Sequence, residues 1–196
     1  GGAIDAGLEA EIRQLPGKVY STYGMTETLS HIALRRLNGP DASTLYYPFP
    51  SVRLSLSPEH TLIIDAPLVC DTILVTNDVA EINSDGSFSI LGRKDNTINT
   101  GGIKVQAEQV EDILRPWIHV PFAITSVSDA ALGEAVVLLI ENGGYTERLE
   151  EKMKELLTKY QLPKMVFSVG TIPLTETGKI NRAGCRQLAA TYQVGR

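Results

Sequence analysis

Two apolar alternations that meet across a short turn constrain this chain more than any other feature. Val79-Ala80-Glu81-Ile82 and Ser87-Phe88-Ser89-Ile90-Leu91 are joined by Asn83-Ser84-Asp85-Gly86. Asp-Gly between such runs predicts a hairpin, because glycine takes the positive φ that the turn demands. Thr61-Leu62-Ile63-Ile64 and Thr72-Ile73-Leu74-Val75-Thr76 read as two further strands just upstream. Residues 52–91 are therefore expected to form a small β-rich subdomain.

After Leu91 the pattern turns to mixed helix and strand. Over 107–115, Val110, Ile113 and Leu114 fall on one helical face, Pro116 ends the run, and 122–127 and 135–140 read as buried strands. Thr146 is placed to cap a second helix, whose Leu149, Met153, Leu156, Leu157 and Tyr160 recur at helical spacing. Glu150 with Lys154 and Glu155 with Lys159 make i,i+4 pairs on its outer side, which need no role beyond solvation. The polar, glycine-led segment 92–96 separates the two styles and is the expected boundary. The fold class expected is α+β, with residues 1–94 and 95–196 as separate domains.

Composition narrows function by exclusion. With 196 residues, 43% hydrophobic and 21% charged, the chain can bury at least one sizeable core. Seven basic residues face 11 acidic ones before Asp95, and 11 face 12 from Asp95 onward, so neither half offers a basic stripe for nucleic acid. No apolar run approaches the roughly 18 residues of a membrane span, and no charged-then-apolar leader opens the chain. Cys70 and Cys185 stand far apart without metal-ligand spacing, which suits two reduced thiols and a cytoplasmic setting. The sequence opens on Gly1-Gly2-Ala3 with no initiator Met, so an upstream segment is expected.

Three separated sets of residues are suited to handling a nucleotide. The first, Val19 to Thr28, runs from a strand-like stretch into a helix-like one over 29–37 and places hydroxyls and the Glu27 carboxylate at the turn. Such a turn can aim N–H groups and hydroxyls at a phosphate while the carboxylate holds Mg²⁺; Thr26-Glu27-Thr28 is equally an N-cap cluster. The second is Thr76-Asn77-Asp78 with Gly92-Arg93-Lys94-Asp95-Asn96, where an Asp at a strand end can accept from two ribose hydroxyls and an Arg can donate to the same sugar or its phosphate. Both side chains could equally cap strands and face water. The third is Pro173-Leu174-Thr175-Glu176-Thr177-Gly178-Lys179-Ile180-Asn181-Arg182, a flexible, glycine-preceded lysine ahead of a helix, suited to a charge delivered into a site and withdrawn, with an exposed turn lysine as the plainer alternative. A phosphate-binding loop is excluded there, since the first glycine of that motif is missing and Pro173 intervenes.

Taken in order, Tyr-Gly-Met-Thr-Glu, Thr-x-Asp, Gly-Arg-x-Asp-Asn-x-Ile with Gly101-Gly102, and Thr-Gly-Lys-Ile-x-Arg resemble the motifs of the acyl-adenylate-forming superfamily. That superfamily holds acyl-CoA synthetases, peptide-synthetase adenylation domains and beetle luciferases. The resemblance covers essentially the whole chain, because Gly1-Gly2-Ala3 matches the Gly-Gly-Ala loop that precedes the Tyr-Gly-x-Thr-Glu motif. It implies that residues 1–94 are the C-terminal part of a large AMP-binding domain and that 95–196 form a mobile domain carrying the catalytic lysine.

The roles that follow are implied by the resemblance alone. Gly1, Gly2 and Ala3 line the acyl and adenine pocket, Tyr23 flanks adenine with Gly24 beside it, Thr26 touches the α-phosphate and Glu27 holds Mg²⁺. Asp78 and Arg93 bind the ribose, Asp95 is the hinge, Gly101 and Gly102 border the pantetheine tunnel, and Lys179 is the catalytic lysine. ATP, Mg²⁺ and CoA are the implied cofactors and co-substrates. Residues 23–35, with the short Gly-Arg-Lys-Asp-Asn segment, are most similar to the o-succinylbenzoate-CoA ligases of menaquinone biosynthesis. In that subgroup the serine matching Ser30 helps receive the aromatic acid, and the adjacent His31 can pair with a second carboxylate; a surface hydroxyl and a partly packed ring are the plainer alternatives. The partners implied are the acid, ATP, CoA and the N-terminal portion of the same protein, with a homodimer left open.

The chain departs from the pattern at Asn77, where glycine is usual, at Asn99, where lysine is frequent, and at Gln106, where proline commonly precedes the acidic helix. Asn tolerates the conformations glycine allows. No Ser/Thr/Gly-rich loop for the β- and γ-phosphates is present, so this stretch alone is expected not to adenylate. Two other functions stay open: an AMP- or acyl-adenylate-binding module without turnover, and an adenylation domain that charges a carrier-protein thiol.

Overall fold

The computed structural model describes residue 4 and residues 6–195. Packing divides the chain into two compact units, Gly1–Lys94 and Asp95–Arg196. Strands and helices occur in both, an α+β composition.

The first unit begins with helix α1 (Ala6–Ile12) and strands β1 (Tyr20–Gly24), β2 (His31–Arg36) and β3 (Tyr47–Pro48), which form a three-stranded antiparallel sheet. A four-stranded antiparallel meander follows: β4 (Arg53–Leu56), β5 (Thr61–Asp65), β6 (Leu74–Ile82) and β7 (Phe88–Arg93). The expected hairpin joins β6 to β7. Gly86 sits at φ +83° and the Asp85 carboxylate accepts from the Ser87 N–H at 3.0 Å and from its hydroxyl at 2.6 Å, a side-chain clasp on the turn. The two strands expected at 72–76 and 79–82 are one nine-residue strand with its register shifted between Val79 and Ala80, because a bulge lets the chain turn without breaking the ladder.

The two sheets meet over Phe88, which is fully buried. Tyr46 and Phe88 exchange backbone hydrogen bonds of 2.8 and 2.9 Å, and Tyr23 and Tyr46 bring their rings to 5.4 and 5.6 Å from the Phe88 centroid. Aromatic pairs at such distances gain about 0.5–1.5 kcal/mol beyond burial. This cluster fixes where Tyr23 lies, and Tyr23 belongs to the candidate site.

One expectation fails in this unit. Residues 29–37 do not form a helix; Leu29 has φ +55° and β2 starts at His31, paired from Tyr20↔Arg36 to Gly24↔His31 with β1. Ladder pairing and burial of Ile32 and Ala33 outweigh the helical spacing.

The second unit is a five-stranded sheet with helices on both faces. It comprises β8 (Thr97–Thr100), β9 (Ile103–Gln106), α2 (Ala107–Leu114), β10 (Phe122–Asp129), β11 (Gly133–Glu141), α3 (Glu147–Leu156), β12 (Met165–Val169) and α4 (Arg182–Val194). The order is β10-β11-β8-β9, with β12 parallel to β11. Because side chains alternate along a strand, Ile124, Val136, Leu138 and Ile140 meet α2 and α3, while Ala123, Val127, Val137 and Leu139 meet α4. A sheet covered on both faces needs the continuous apolar runs seen at 122–127 and 135–140.

Helix α3 starts as expected, with the Thr146 hydroxyl accepting from the Leu149 N–H at 3.2 Å and Lys154 paired to Glu150 at 2.6 Å. It ends sooner than expected. Leu157 is extended at φ −101°, so Lys159 lies beyond the helix over the Tyr160 ring, and Glu155 pairs with Lys152 instead. Among the described residues no helix is long and apolar enough to cross a membrane.

Candidate functional site

In the first unit the site is built from the register of β6 and β7 together with β1. Asp78 and Arg93 are cross-strand partners, their charges 3.5 Å apart, and the Tyr23 hydroxyl donates to the other Asp78 oxygen at 2.6 Å. Burial, followed by the hydrogen bond to Asp78, pushes the Tyr23 phenol far above its ordinary range, so it remains a donor at any physiological pH. An ionised carboxylate offers about four lone-pair positions. Asp78, only 16% exposed at its side chain, therefore keeps the capacity to accept from a vicinal diol while Tyr23 and Arg93 fix its orientation. Asn77 lies within β6 and has no positive φ, so the backbone there does not require the usual glycine.

Thr26, Glu27 and Thr28 form a single 3-10 turn after β1. Thr28 is fully buried and its hydroxyl accepts from the Met25 N–H at 3.1 Å while lying 3.0 Å from the Met25 carbonyl and 2.7 Å from that of Ser30. The capping role is thus Thr28's, which leaves Thr26 and Glu27 exposed on the outer side. A Cβ at Gly24 would stand 2.4 Å from the Ser30 carbonyl oxygen, so only glycine permits the chain to double back here. Leu29, 87% exposed at φ +55°, takes the left-handed conformation that costs a non-glycine residue about 1–2 kcal/mol. Strain of this kind persists where surrounding bonds over-determine it. Ser30 and His31 are exposed at the start of β2 rather than on a helix.

The turn offers one protein carboxylate to a cation. Among the described residues no three His, Cys, Asp or Glu side chains gather closely enough to hold a metal themselves. Glu27 alone fits Mg²⁺, which is commonly held by one or two carboxylates with substrate phosphates and water completing its shell.

In the second unit Lys179 is exposed on a hairpin that is pinned at its base. The Thr175 N–H donates to the Lys179 carbonyl at 2.7 Å, the Lys179 N–H donates to the Thr175 hydroxyl at 3.1 Å, and Leu174 bridges Ile180. Asn181 donates to the Pro173 carbonyl at 2.9 Å and accepts from the Gly184 N–H at 3.0 Å, capping α4. Gly101 and Gly102, at φ +59° and +80°, form the two-residue tip between β8 and β9, the left-handed pair that a tight hairpin of this twist demands. Asp95 lies exposed in a 3-10 turn, Lys94–Asn96. The Asn99 N–H donates to Glu134 at 2.8 Å, and the buried Gln106 amide donates to the Thr97 hydroxyl at 2.9 Å, a bond proline could not make.

Tyr23, Asp78 and Arg93 are thus brought together, and Thr26, Glu27, Ser30 and His31 share one turn. Lys179, Gly101 and Gly102 belong to the other unit. Gly1, Gly2 and Ala3 lie outside the described residues. Thr28 holds the turn, in line with the capping alternative for Thr26-Glu27-Thr28, whereas a buried pair between Glu111 and Arg182, 2.6 Å apart, was overlooked. Glu111 was legible: it interrupts an apolar stripe formed by Ala107, Val110 and Leu114.

No family model matches the chain. It is 26% identical over 192 residues to the 2-succinylbenzoate-CoA ligase of Lactococcus lactis, covering 89% of itself and 43% of that protein. A nonribosomal peptide synthetase of Aspergillus campestris is 32% identical over 139 residues, 61% of this chain and 2% of the synthetase. Among solved structures, the o-succinylbenzoate-CoA synthetase of Bacillus subtilis in complex with its acyl-adenylate intermediate has a TM-score of 0.76 at 21% identity, over 93% of this chain and 44% of that one. At that identity the likeness is one of fold. The chain spans less than half the length of these CoA ligases. Its relatives and structural neighbours include AMP-forming acyl- and aryl-CoA ligases, and it matches the C-terminal part of such enzymes.

Proposed function

We propose that this chain is the C-terminal part of an ATP-dependent ligase that converts o-succinylbenzoate first to an acyl-adenylate and then to its CoA thioester. The observation that carries the reading is the Tyr23, Asp78 and Arg93 cluster, a carboxylate held ready for a diol by a phenol and a guanidinium. Its position one turn before an exposed Thr-Glu pair supports a reading in which ribose and phosphate contacts lie on adjacent surfaces of one unit. Tyr23 orients Asp78 and flanks the base, Thr26 contacts the α-phosphate, and Ser30 and His31 receive the acid.

The chemistry follows from charge. A carboxylate attacking the α-phosphate approaches another anion, so Lys179 lowers the barrier by bridging the two as charge builds on the transferring oxygens. Glu27 would hold Mg²⁺, which supplies positive charge against the leaving pyrophosphate when bound. Movement about Asp95 then withdraws Lys179 and presents the Gly101-Gly102 tip to the pantetheine arm, so that the thiol attacks the acyl carbonyl and AMP departs. By itself the 196-residue chain binds nucleotide without turnover in this reading, since its sequence carries no loop for the β- and γ-phosphates.

The test is pyrophosphate exchange and CoA-thioester formation by the full-length gene product with o-succinylbenzoate, beside Lys179→Ala. Thioester is expected from the intact enzyme, with exchange lost in the variant. Absence of o-succinylbenzoyl-CoA would overturn the acid assignment; undiminished exchange by the variant would overturn the role of Lys179. The resemblance to a peptide synthetase supports a second reading, transfer to a carrier-protein thiol. Offering CoA and a phosphopantetheinylated carrier in parallel separates the two.

A further inference from the structure

Helix α2 turns Ala107, Val110, Glu111 and Leu114 inward, so one carboxylate lies in an apolar stripe. Glu111 is 2% exposed. Burial pushes its carboxyl above the usual range even though Arg182 pulls the other way. Arg182 meets it with two bonds, 2.6 Å to Oε1 and 2.8 Å to Oε2, the fork geometry of a guanidinium on a carboxylate. Burial disfavours the Arg182 charge, yet the bonds to Glu111 hold its pKa above the usual guanidinium value. Both groups also grip β10: the Ile124 N–H donates to Glu111 at 2.8 Å and the Ile124 carbonyl accepts from Arg182 at 3.2 Å.

On its other side Arg182 lies 3.4 Å from Glu108, which accepts from the side chain of Asn96, the neighbour of Asp95. Arg182 is the first residue of α4, three beyond Lys179, and the hairpin between Pro173 and Asn181 is closed by its own hydrogen bonds. Displacing the guanidinium therefore displaces the root of the hairpin.

We propose that Arg182, clamped between Glu111 and Glu108, is the positioning residue for Lys179, and that Asn96 ties this clamp to the hinge segment. The inference rests on the reading of Lys179 as the lysine of adenylation. A pair that merely stapled the fold would serve both half-reactions alike, whereas a positioning residue serves the half-reaction in which Lys179 acts.

The test uses the full-length ligase with Arg182→Lys, whose single ammonium cannot span both Glu111 oxygens and the Ile124 carbonyl, and Glu111→Gln, which keeps shape and removes charge. Pyrophosphate exchange reads adenylation; thioester formation from preformed acyl-adenylate and CoA reads the second step. Adenylation kcat is expected to fall by about tenfold to a hundredfold, with the ATP KM and the second step changed by less than about twofold. Asn96→Ala should give the same pattern more weakly. Equal loss in both half-reactions, or loss in neither, overturns the proposal. Should Arg182→Lys and Glu111→Gln fail to fold, Glu108→Gln removes the charge that faces Arg182 at 3.4 Å, keeps an oxygen able to accept from Asn96, and is read by the same criterion. Lys179→Ala separates the two levels: unimpaired exchange in that variant refutes the role of Lys179 itself, while impaired exchange there with intact exchange in Arg182→Lys refutes the clamp alone.

Discussion

The two units place their candidate site residues in opposite ways. In Gly1–Lys94 they arise directly from strands: Tyr23 from β1, Asp78 within β6 and Arg93 at the end of β7, each fixed by a ladder and by the cluster around Phe88. In Asp95–Arg196 the strands are spent on a core covered on both faces, and Lys179 stands on a hairpin outside it, held through α4 and the Glu111–Arg182 pair. A ribose site gains from a rigid sheet, because the diol must meet donors and an acceptor at fixed separations. In the proposed reading, a lysine that serves only one of two steps gains from a mounting outside the sheet.

If this contrast is sound, each unit should respond to its own core. Phe88→Ala in the 196-residue chain is expected to destabilise the first unit by about 3–5 kcal/mol, while the urea transition followed by Trp117 fluorescence stays in place. Trp117 is the only tryptophan and packs in the second unit, so a shift of its transition would break the comparison. Leu138→Ala should do the reverse, moving the Trp117 transition by about 2–5 kcal/mol and leaving the NMR resonances of the Tyr23 and Tyr46 rings unchanged below it.

Smaller effects sharpen the contrast. Thr28→Val preserves shape but leaves the Met25 N–H without its acceptor, at an expected cost of about 1–3 kcal/mol, and Thr28→Ser should restore most of it. Nucleotide affinity measured by calorimetry should fall with Thr28→Val and recover with Thr28→Ser. Equal affinity across the series would remove Thr28 from the site. The slightest effect lies in acid. Asp85 is held below the ordinary value of 3.8 by the Ser87 hydroxyl and N–H, and Asp129 by the Leu132 and Ala131 N–H groups with Lys164. Each folded pKa lies below its unfolded one, so each carboxylate stabilises its unit above pH 3.8 and loses that contribution as pH falls through the folded value. Carboxyl carbon shifts followed by NMR should titrate below 3.8 in both units, and Asp85→Asn should flatten only the first unit's acid response.

Much of this was legible in residues. The Asp85-Gly86 turn, the Thr146 cap and the apolar runs of β10 and β11 are local signals that the tertiary structure obeys. The segment 29–37 was not legible, for a specific reason. Leu29, Ile32, Ala33 and Leu37 recur at helical spacing, but Leu29 is 87% exposed, and Arg35 and Arg36 place their guanidinium groups over Tyr46 and Tyr20, which blurs the alternation of β2. A strand flanked by arginines lying over aromatic rings does not advertise its period. The short, polar β8 and β9 also gave no pattern, since their pairing is set by a two-glycine tip and by Gln106 reaching Thr97. The site was legible as an order of motifs and not as geometry. Nothing in the spacing showed that the Tyr23 hydroxyl reaches Asp78, because that contact joins residues brought together only by the meeting of two sheets.

The Glu111–Arg182 pair has a consequence apart from any reaction. β10 is the outermost strand of its sheet, and an outer strand with vacant backbone groups can recruit a strand from another molecule. At Ile124 both groups are already occupied, the N–H by a carboxylate and the carbonyl by a guanidinium. The same two side chains therefore make this edge a poor template for self-association, and their loss should register as turbidity in concentrated solution before it registers as unfolding.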